Sequence, residues 1–591
     1  MNTSQFCEPR VKARSILKSS TGRDEGVKRT PMNFDHQTAE TDIPFFSKWI
    51  PPLLWAALAI LVQLPLFDRS IVPMDEGHLL TTADAMLDGR HLYTDLHTGI
   101  FPGIYLIASG LLNVFGREVL VTRWAAVGVN VVTVVALWQI GRRCMAPRWA
   151  ALAPFLHLLL IMVAFPTLSM FNYSTVAISF GVVSLTLLLR YLDEGEKKVG
   201  LLLGLFIAAA ALTKQNFGAL IFLSLLISLV WNRKDSALRE QTWMQTFFPI
   251  VLSGAGLTLS VVIYFLYEGS LVALVDSTLL SIVDSQFSHF NNPIPPILGP
   301  HPVEDGRFLF LYTPPTVFNA LLMGEEFSGL KVTPWLRTFF IRASYGIPII
   351  TMLIAPILFA LSSKHTNSSN RRASRSILLF AILFSFGIFP SAIWSHLAFV
   401  MIPILLLFGF CADRIESLLR ERDLKVMTLL WRNTIAVMAI LATFVGADSS
   451  RSIRRWNPKP LELERAKGLY VSPRSHALIT GSVHFLDRCA PEGAPVLALP
   501  DIPIVYFLAE RPNPSPFDLA IPGAVDTQII ISRAEQAGVR CVILNPQIYP
   551  EFPPLYELYP RLHRYLAGTF QAAEIIQGGD SRWLGMVRRS Q

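Results

Sequence analysis

Apolar windows of membrane-crossing length recur along this chain, and they constrain its fold class more than any other feature. They stand at about 49–67, 119–140, 149–166, 174–191, 247–266, 342–362, 375–391, 397–412 and 427–446. Several approach the roughly 20 residues that a hydrocarbon core of about 30 Å requires. Only 16% of the 591 residues are charged and 52% are hydrophobic, whereas a soluble domain carries about 25% charged residues. This balance excludes a disordered, collagen-like or disulfide-framework protein, because much of the apolar mass must face lipid. The net charge of +8 is no pointer to nucleic acid until the charges are placed on the chain.

The stretch 200–231 is apolar on both sides of Thr213-Lys214-Gln215-Asn216. A lysine at mid-bilayer costs about 2.5–3.5 kcal/mol or more, and one helix across the whole stretch would be roughly 45 Å long. Two short helices with Lys214 at their hinge fit better. Charge placement tests that choice, since loops on the cytoplasmic side are richer in Lys and Arg. With the hairpin, Arg142, Arg143, Arg148, Lys197, Lys198, Arg233, Lys234, Arg239, Lys364, Arg371, Arg372, Arg375, Arg414, Arg420, Arg422 and Lys425 all fall on one side. The short loops near 167–173 and 392–396, on the other side, hold no Lys or Arg. A single helix would flip every later loop and destroy the pattern.

The reading is a membrane all-α bundle of about eleven spanning helices with its N-terminus inside and its C-terminus outside. Residues 1–48 are a disordered cytoplasmic tail and 49–446 the membrane domain. Segments 68–118 and 267–341 are exported loops, and 447–591 forms a small extracytoplasmic α/β domain in which apolar runs alternate with helical stretches. The five cysteines show no metal-ligand spacing. Cys489 and Cys541 share the C-terminal domain, and either a disulfide or two buried thiols is compatible with that placement.

The first exported loop carries the densest set of candidate residues. Asp75 and Glu76 follow the first spanning helix closely, which puts them at the outer membrane surface. Leu79, Leu80, Ala83, Met86 and Leu87 then recur at helical spacing, as in an amphipathic interfacial helix, and a second short helix covers about 102–115. Acidic residues at a helix start also suit the dipole without any chemistry.

Pro73-Met74-Asp75-Glu76, Ala85-Met86-Leu87-Asp88-Gly89, Tyr93, Asp95, Pro102, Phe115-Gly116 and Arg123 resemble the polytopic glycosyltransferases of the GT-C fold. Within that fold the pattern is similar to the bacterial family-39-like branch, related to protein O-mannosyltransferases, the lipid A aminoarabinose transferase and the lipopolysaccharide galacturonosyltransferases. Leu212-Thr213-Lys214-Gln215, the IWSHLAFVMIP stretch and the C-terminal domain extend the likeness over most of 50–591. The resemblance implies a polyprenyl-phosphate-sugar donor and an acceptor hydroxyl on a lipid, glycan or protein. It maps the catalytic base onto Asp75, with Glu76 as its partner. An inverting transfer needs a carboxylate to take the acceptor proton, and a leaving lipid phosphate needs positive charge, for which Lys214 and Arg123 are the candidates.

His97, Gln215, His396, Asn172 and Tyr173 are further candidates for substrate contact. His78 and His289 share the exported side, and Asp276 and Asp284 open the large exported loop. Relatives with a second acidic residue carry it after the third helix, where this chain reads FPTLSMFNYSTV without a carboxylate. No cofactor is required by the pattern, and a divalent cation beside Asp75 is the open alternative, in doubt because Asn and Tyr hold hard cations poorly. The rival class is a transporter or lipid flippase. Such proteins place ionisable groups at mid-bilayer, often within inverted repeats, and neither feature is evident here.

Overall fold

A computed structural model describes residues 45–281, 290–302, 305–315, 334–362, 367–520, 525–546 and 553–590. Residues 1–44 of the polar tail, Asp284, His289 and Lys364 lie outside the described residues, and 45–48 of the expected tail belong to the first helix.

Helices occupy every expected window: α1 Phe45–Gln63, α4 Val119–Gly141, α5 Leu152–Val163, α6 Tyr173–Glu194, α7 Lys197–Thr213 and α8 Gln215–Asn232. The series continues with α9 Trp243–Tyr267, α10 Pro334–Ser362, α11 Ser368–Ser385, α12 Trp394–Glu421 and α13 Lys425–Trp456. Among the described residues, seven helices are long and apolar enough to cross a membrane. Between α1 and α4, the first loop folds into α2 Asp75–Leu87 and α3 Gly103–Phe115. The 200–231 stretch is the expected hairpin: Lys214 is extended, with φ −151° and ψ 112°, and it ends α7 and begins α8.

At the end of the bundle away from the hinge, buried Glu416 on α12 gathers donors. Trp149 Nε1 donates at 2.7 Å, Arg420 and Arg432 sit at 2.7 Å and 2.5 Å, and Arg148 is a further partner. Asp193 holds Arg372 at 2.7 Å and also pairs with Arg143. Arg143, Arg148 and Arg372, among the arginines that marked one side of the membrane in the sequence, thus clip separate segments together.

The C-terminal domain is α/β. Strands β1 Leu497–Leu499, β2 Cys541–Leu544, β3 Phe570–Gly578 and β4 Ser581–Arg588 form one sheet in the order β1-β2-β4-β3. The first pair is parallel and the others antiparallel. Alternation along the strands sends Ala498, Cys541 and Ile543 to one face and Leu497, Leu499, Val542 and Leu544 to the other. Both faces are covered, the first by α14 Pro473–Cys489 and the second by α16 Thr527–Gln536 and α17 Pro560–Thr569. A parallel pair with helices on both faces buries its strands completely. Cys489 and Cys541 are joined by a disulfide between α14 and β2.

This domain shares a hydrophobic core with the first loop. Leu79, Leu80, Ala83, Tyr105 and Leu112 belong to the same buried cluster as Val496, Ile504, Phe507 and Trp583. Burying one such Leu contributes about 1.5–3 kcal/mol. Contact is closest where α2 lies on α15 Ile504–Ala509: a Cβ on Gly77 would stand 2.4 Å from the Ile504 nitrogen. No larger residue fits there. Polar bonds reinforce the contact, with Thr81 Oγ1 donating to the Pro503 carbonyl at 2.8 Å and Arg465 reaching Asp84 at 2.7 Å.

Candidate active site

Asp75 is the first residue of α2, and His78 follows one turn later on the same face. The Asp75 carboxyl is open to water yet surrounded by protein. Among the described residues no hydrogen bond or ion pair engages it. Burial raises its pKa above the usual carboxylate range; His78 and Lys214 pull it down and Glu76 pushes it up. A carboxylate enclosed by protein yet open to water, with cations near it and no donor attached, is suited to accept a proton.

Lys214 acts on this carboxylate electrostatically from the hairpin. Its Nζ donates to Ser174 Oγ at 2.7 Å and stands over the rings of Phe217, Tyr173 and Phe399 at 3.9, 5.0 and 5.9 Å. The hinge comes against the first loop because α3 begins with Gly103, where a Cβ would lie 2.7 Å from the Leu212 carbonyl oxygen. Gln215 fastens that approach: its side chain donates to the Gly99 carbonyl at 2.7 Å and accepts from the Phe101 amide at 3.4 Å. Tyr173 faces the same space, within electrostatic reach of Asp75.

Three expected site residues are turned elsewhere. Arg123 and Glu76 are fully buried and bind each other side by side, Nε to Oε1 at 2.5 Å and Nη2 to Oε2 at 2.6 Å. Arg123 also donates to the Ser70 carbonyl at 3.1 Å, and Glu76 accepts the Val72 amide at 3.2 Å. The expectation of a phosphate-binding Arg123 is therefore revised. Its charge is matched inside the protein, and the pair fixes the turn before Asp75. Asn172 likewise caps α6, accepting the Ser174 and Thr175 amides at 2.9 Å each, while its amide nitrogen donates to Thr167. Its side-chain oxygen is taken up by that cap.

The histidines divide. His396 Nδ1 lies 2.6 Å from the Ser391 carbonyl, within electrostatic reach of Lys214. His97 stacks obliquely on Phe517 of the C-terminal domain at 4.9 Å, and burial lowers its pKa, with His78 acting in the same direction. Asp276 acts on His97 from the short helical segment after α9. Among the described residues no group of three or more His, Cys, Asp or Glu side chains is placed to hold a metal ion.

Residues 98–267, covering α3 to α9 and the Lys214 hinge, match the family model described as dolichyl-phosphate-mannose-protein mannosyltransferase. The chain superposes on ArnT from Cupriavidus metallidurans bound to undecaprenyl phosphate, with a TM-score of 0.50 at 13% identity, covering 92% of this chain and 99% of that one. The chain is a membrane protein of the GT-C glycosyltransferase fold. Two other GT-C structures align less closely. The Archaeoglobus fulgidus oligosaccharyltransferase tethered with an acceptor peptide gives a TM-score of 0.45 at 12% identity, covering 92% of this chain and 74% of that one. The arabinofuranosyltransferase AftD from Mycobacteria gives 0.45 at 12% identity, covering 92% and 40%. No curated relative matches the chain in sequence.

In this GT-C chain the site holds one residue that sequence reasoning missed altogether. Asp518 of the C-terminal domain lies against His78, 440 residues away in sequence, with 2.8 Å from each carboxylate oxygen to Nδ1. The other ring nitrogen is 2.9 Å from the Tyr105 hydroxyl, itself 2.7 Å from Thr98 Oγ1. Asp518 sits in the run Asn513-Pro514-Ser515-Pro516-Phe517-Asp518, which carries turn signals and no catalytic motif. Nothing local could have found it.

Proposed function

We propose that this protein transfers one sugar from a polyprenyl-phosphate carrier to a hydroxyl group of a lipid, glycan or protein at the exported face of the cytoplasmic membrane. The observation that carries the reading is the Asp75 carboxylate, open to water and unengaged, beside the Lys214 ammonium. In the reaction the acceptor oxygen attacks the anomeric carbon, and its proton passes to Asp75. The bond from that carbon to the phosphate oxygen breaks with its electron pair, leaving polyprenyl phosphate, and the configuration inverts. Lys214 would supply the charge that stabilises the leaving phosphate. Tyr173, His97 and His396 border the same region and are the candidates to contact the substrates, while Gln215 positions the loop.

Undecaprenyl phosphate in the ArnT structure supports a carrier of this class. The Cys489–Cys541 disulfide supports an oxidising compartment for the C-terminal domain. The test is purified protein assayed with a panel of polyprenyl-phosphate sugars, with and without chelator. Wild type should consume at least one donor and Asp75→Asn none; an Asp75→Asn protein that inserts normally and transfers at full rate would refute the proposal. Lys214→Ala should raise the KM for donor about ten-fold (about 1.4 kcal/mol) and leave that for acceptor nearly unchanged; equal effects on both would count against the phosphate role.

A further inference from the structure

We propose that Asp518 of the C-terminal domain is a positioning residue for the transfer chemistry, holding the His78 imidazole so that a positive charge is fixed beside Asp75. This rests on the reading of Asp75 as the base. The geometry is specific. His78 Nδ1–H donates to the Asp518 carboxylate, whose two oxygens are both at 2.8 Å, and Nε2 is held at 2.9 Å by the Tyr105 hydroxyl. With both nitrogens engaged, the ring can neither rotate nor serve as a free ligand for phosphate. It acts as a fixed charge. On a helix, residues three apart share a face with about 5–6 Å between Cβ atoms, so that charge falls next to Asp75.

The segment that delivers Asp518 is itself buried and hydrogen-bonded in place. Asn513, Ser515 and Asp518 are buried, and within the segment the Ser515 amide donates to Asn513 Oδ1 and the Phe517 amide to Ser515 Oγ, each at 3.0 Å. The first loop grips it twice, by the His97 amide donating to the Pro516 carbonyl at 2.9 Å and by Arg90 donating to the Asn513 carbonyl at 2.8 Å. Docking of the domain and placement of the charge are therefore one event.

The groups facing His78 are Asp518 from the C-terminal domain, Tyr105 from α3, Asp75 on α2 itself and His97 from the loop. Those facing Asp75 are His78 and Glu76 on α2, Lys214 from the hairpin, and Tyr105 and Tyr173. Burial works against a charged His78, but Asp518, by its charge and its hydrogen bond, and Asp75 together more than offset it, so the imidazole keeps its proton to a higher pH than usual. The imidazolium in turn lowers the pKa of Asp75. Without Asp518 the ring loses its proton sooner, Asp75 loses a neighbouring cation, and a higher pH is needed to ionise the base.

The experiment is the pH profile of kcat/KM for full-length protein in lipid nanodiscs, with whichever undecaprenyl-phosphate sugar the wild type consumes. Asp518→Asn and, as an independent variant, His78→Gln should both move the acidic limb to higher pH, by about one to two units. Donor KM should stay within about two-fold, and Asp518→Glu should restore the wild-type limb. If the limb stays in place in a folded Asp518→Asn or His78→Gln protein, whether or not the rate falls, the inference is overturned. Asp75→Asn separates the two claims: activity in that variant sinks the base, whereas a dead Asp75→Asn with unmoved limbs sinks only the role of Asp518.

Discussion

Asp75 and Glu416 are both carboxylates in a mostly apolar bundle, and the protein treats them in opposite ways. Glu416 lies twenty residues beyond His396 on α12, about 30 Å along the helix, and takes donors from Trp149, Arg148, Arg420 and Arg432. Asp75 takes none, although His78 and Lys214 stand close by. A carboxylate whose lone pairs are filled holds helices together and has no capacity left for substrate. One that is surrounded but unfilled keeps its basicity, at an energetic cost borne by the packing around it. The pair Glu76 and Arg123 sharpens the lesson, because Glu76 is adjacent to Asp75 in sequence and belongs with Glu416 in behaviour.

The largest expected effect breaks that contrast at its functional end. Asp75→Asn should cut the transfer rate by at least about 100-fold, the usual contribution of a general base, with the melting temperature of the purified protein unchanged. Removing one member of the buried pair should act on stability instead. Glu76→Gln leaves the Arg123 guanidinium buried and unmatched, for an expected loss of about 3–5 kcal/mol, read as reduced yield and a lowered melting temperature. A Glu76→Gln protein of wild-type stability with impaired turnover would place Glu76 with Asp75 after all.

Glu416→Gln should cost about 1–3 kcal/mol, as expected for weakened hydrogen bonds to a charged group, while the rate per folded molecule stays at the wild-type value. A changed rate would mean that the two ends of the bundle are coupled. The smallest effect belongs to Asn172→Ala, about 1 kcal/mol from the lost cap on α6, with KM values for donor and acceptor unmoved. A rise in either KM would return Asn172 to the substrate site.

Much of the architecture was legible in the chain because the signals are local. Apolar length placed the spanning helices, the cost of burying a lysine split 200–231 at Lys214, and alternation of apolar runs with helical stretches marked the α/β domain. Asp75 and Lys214, read from the same local signals, lie within electrostatic reach of each other. The errors were errors of partnership. Arg123 looked like a free cation at the membrane surface, and nothing within a few residues of it announces Glu76, 47 positions earlier, as its partner. Asn172 looked like a sugar ligand, although an Asn just before a helical run is also a cap, and that signal was available.

The sequence by itself determined which helices are long and apolar enough to cross lipid, where the chain turns and which acidic residues follow the first helix, because hydrophobic length and charge cost act on short segments. Tertiary structure alone decided which of those acids would be neutralised and which left open, by bringing Arg123 to Glu76 and Asp518 to His78. The reason is electrostatic: the state of a carboxylate depends on the charges and donors within a few ångströms, and in a folded chain those come from segments tens or hundreds of residues away.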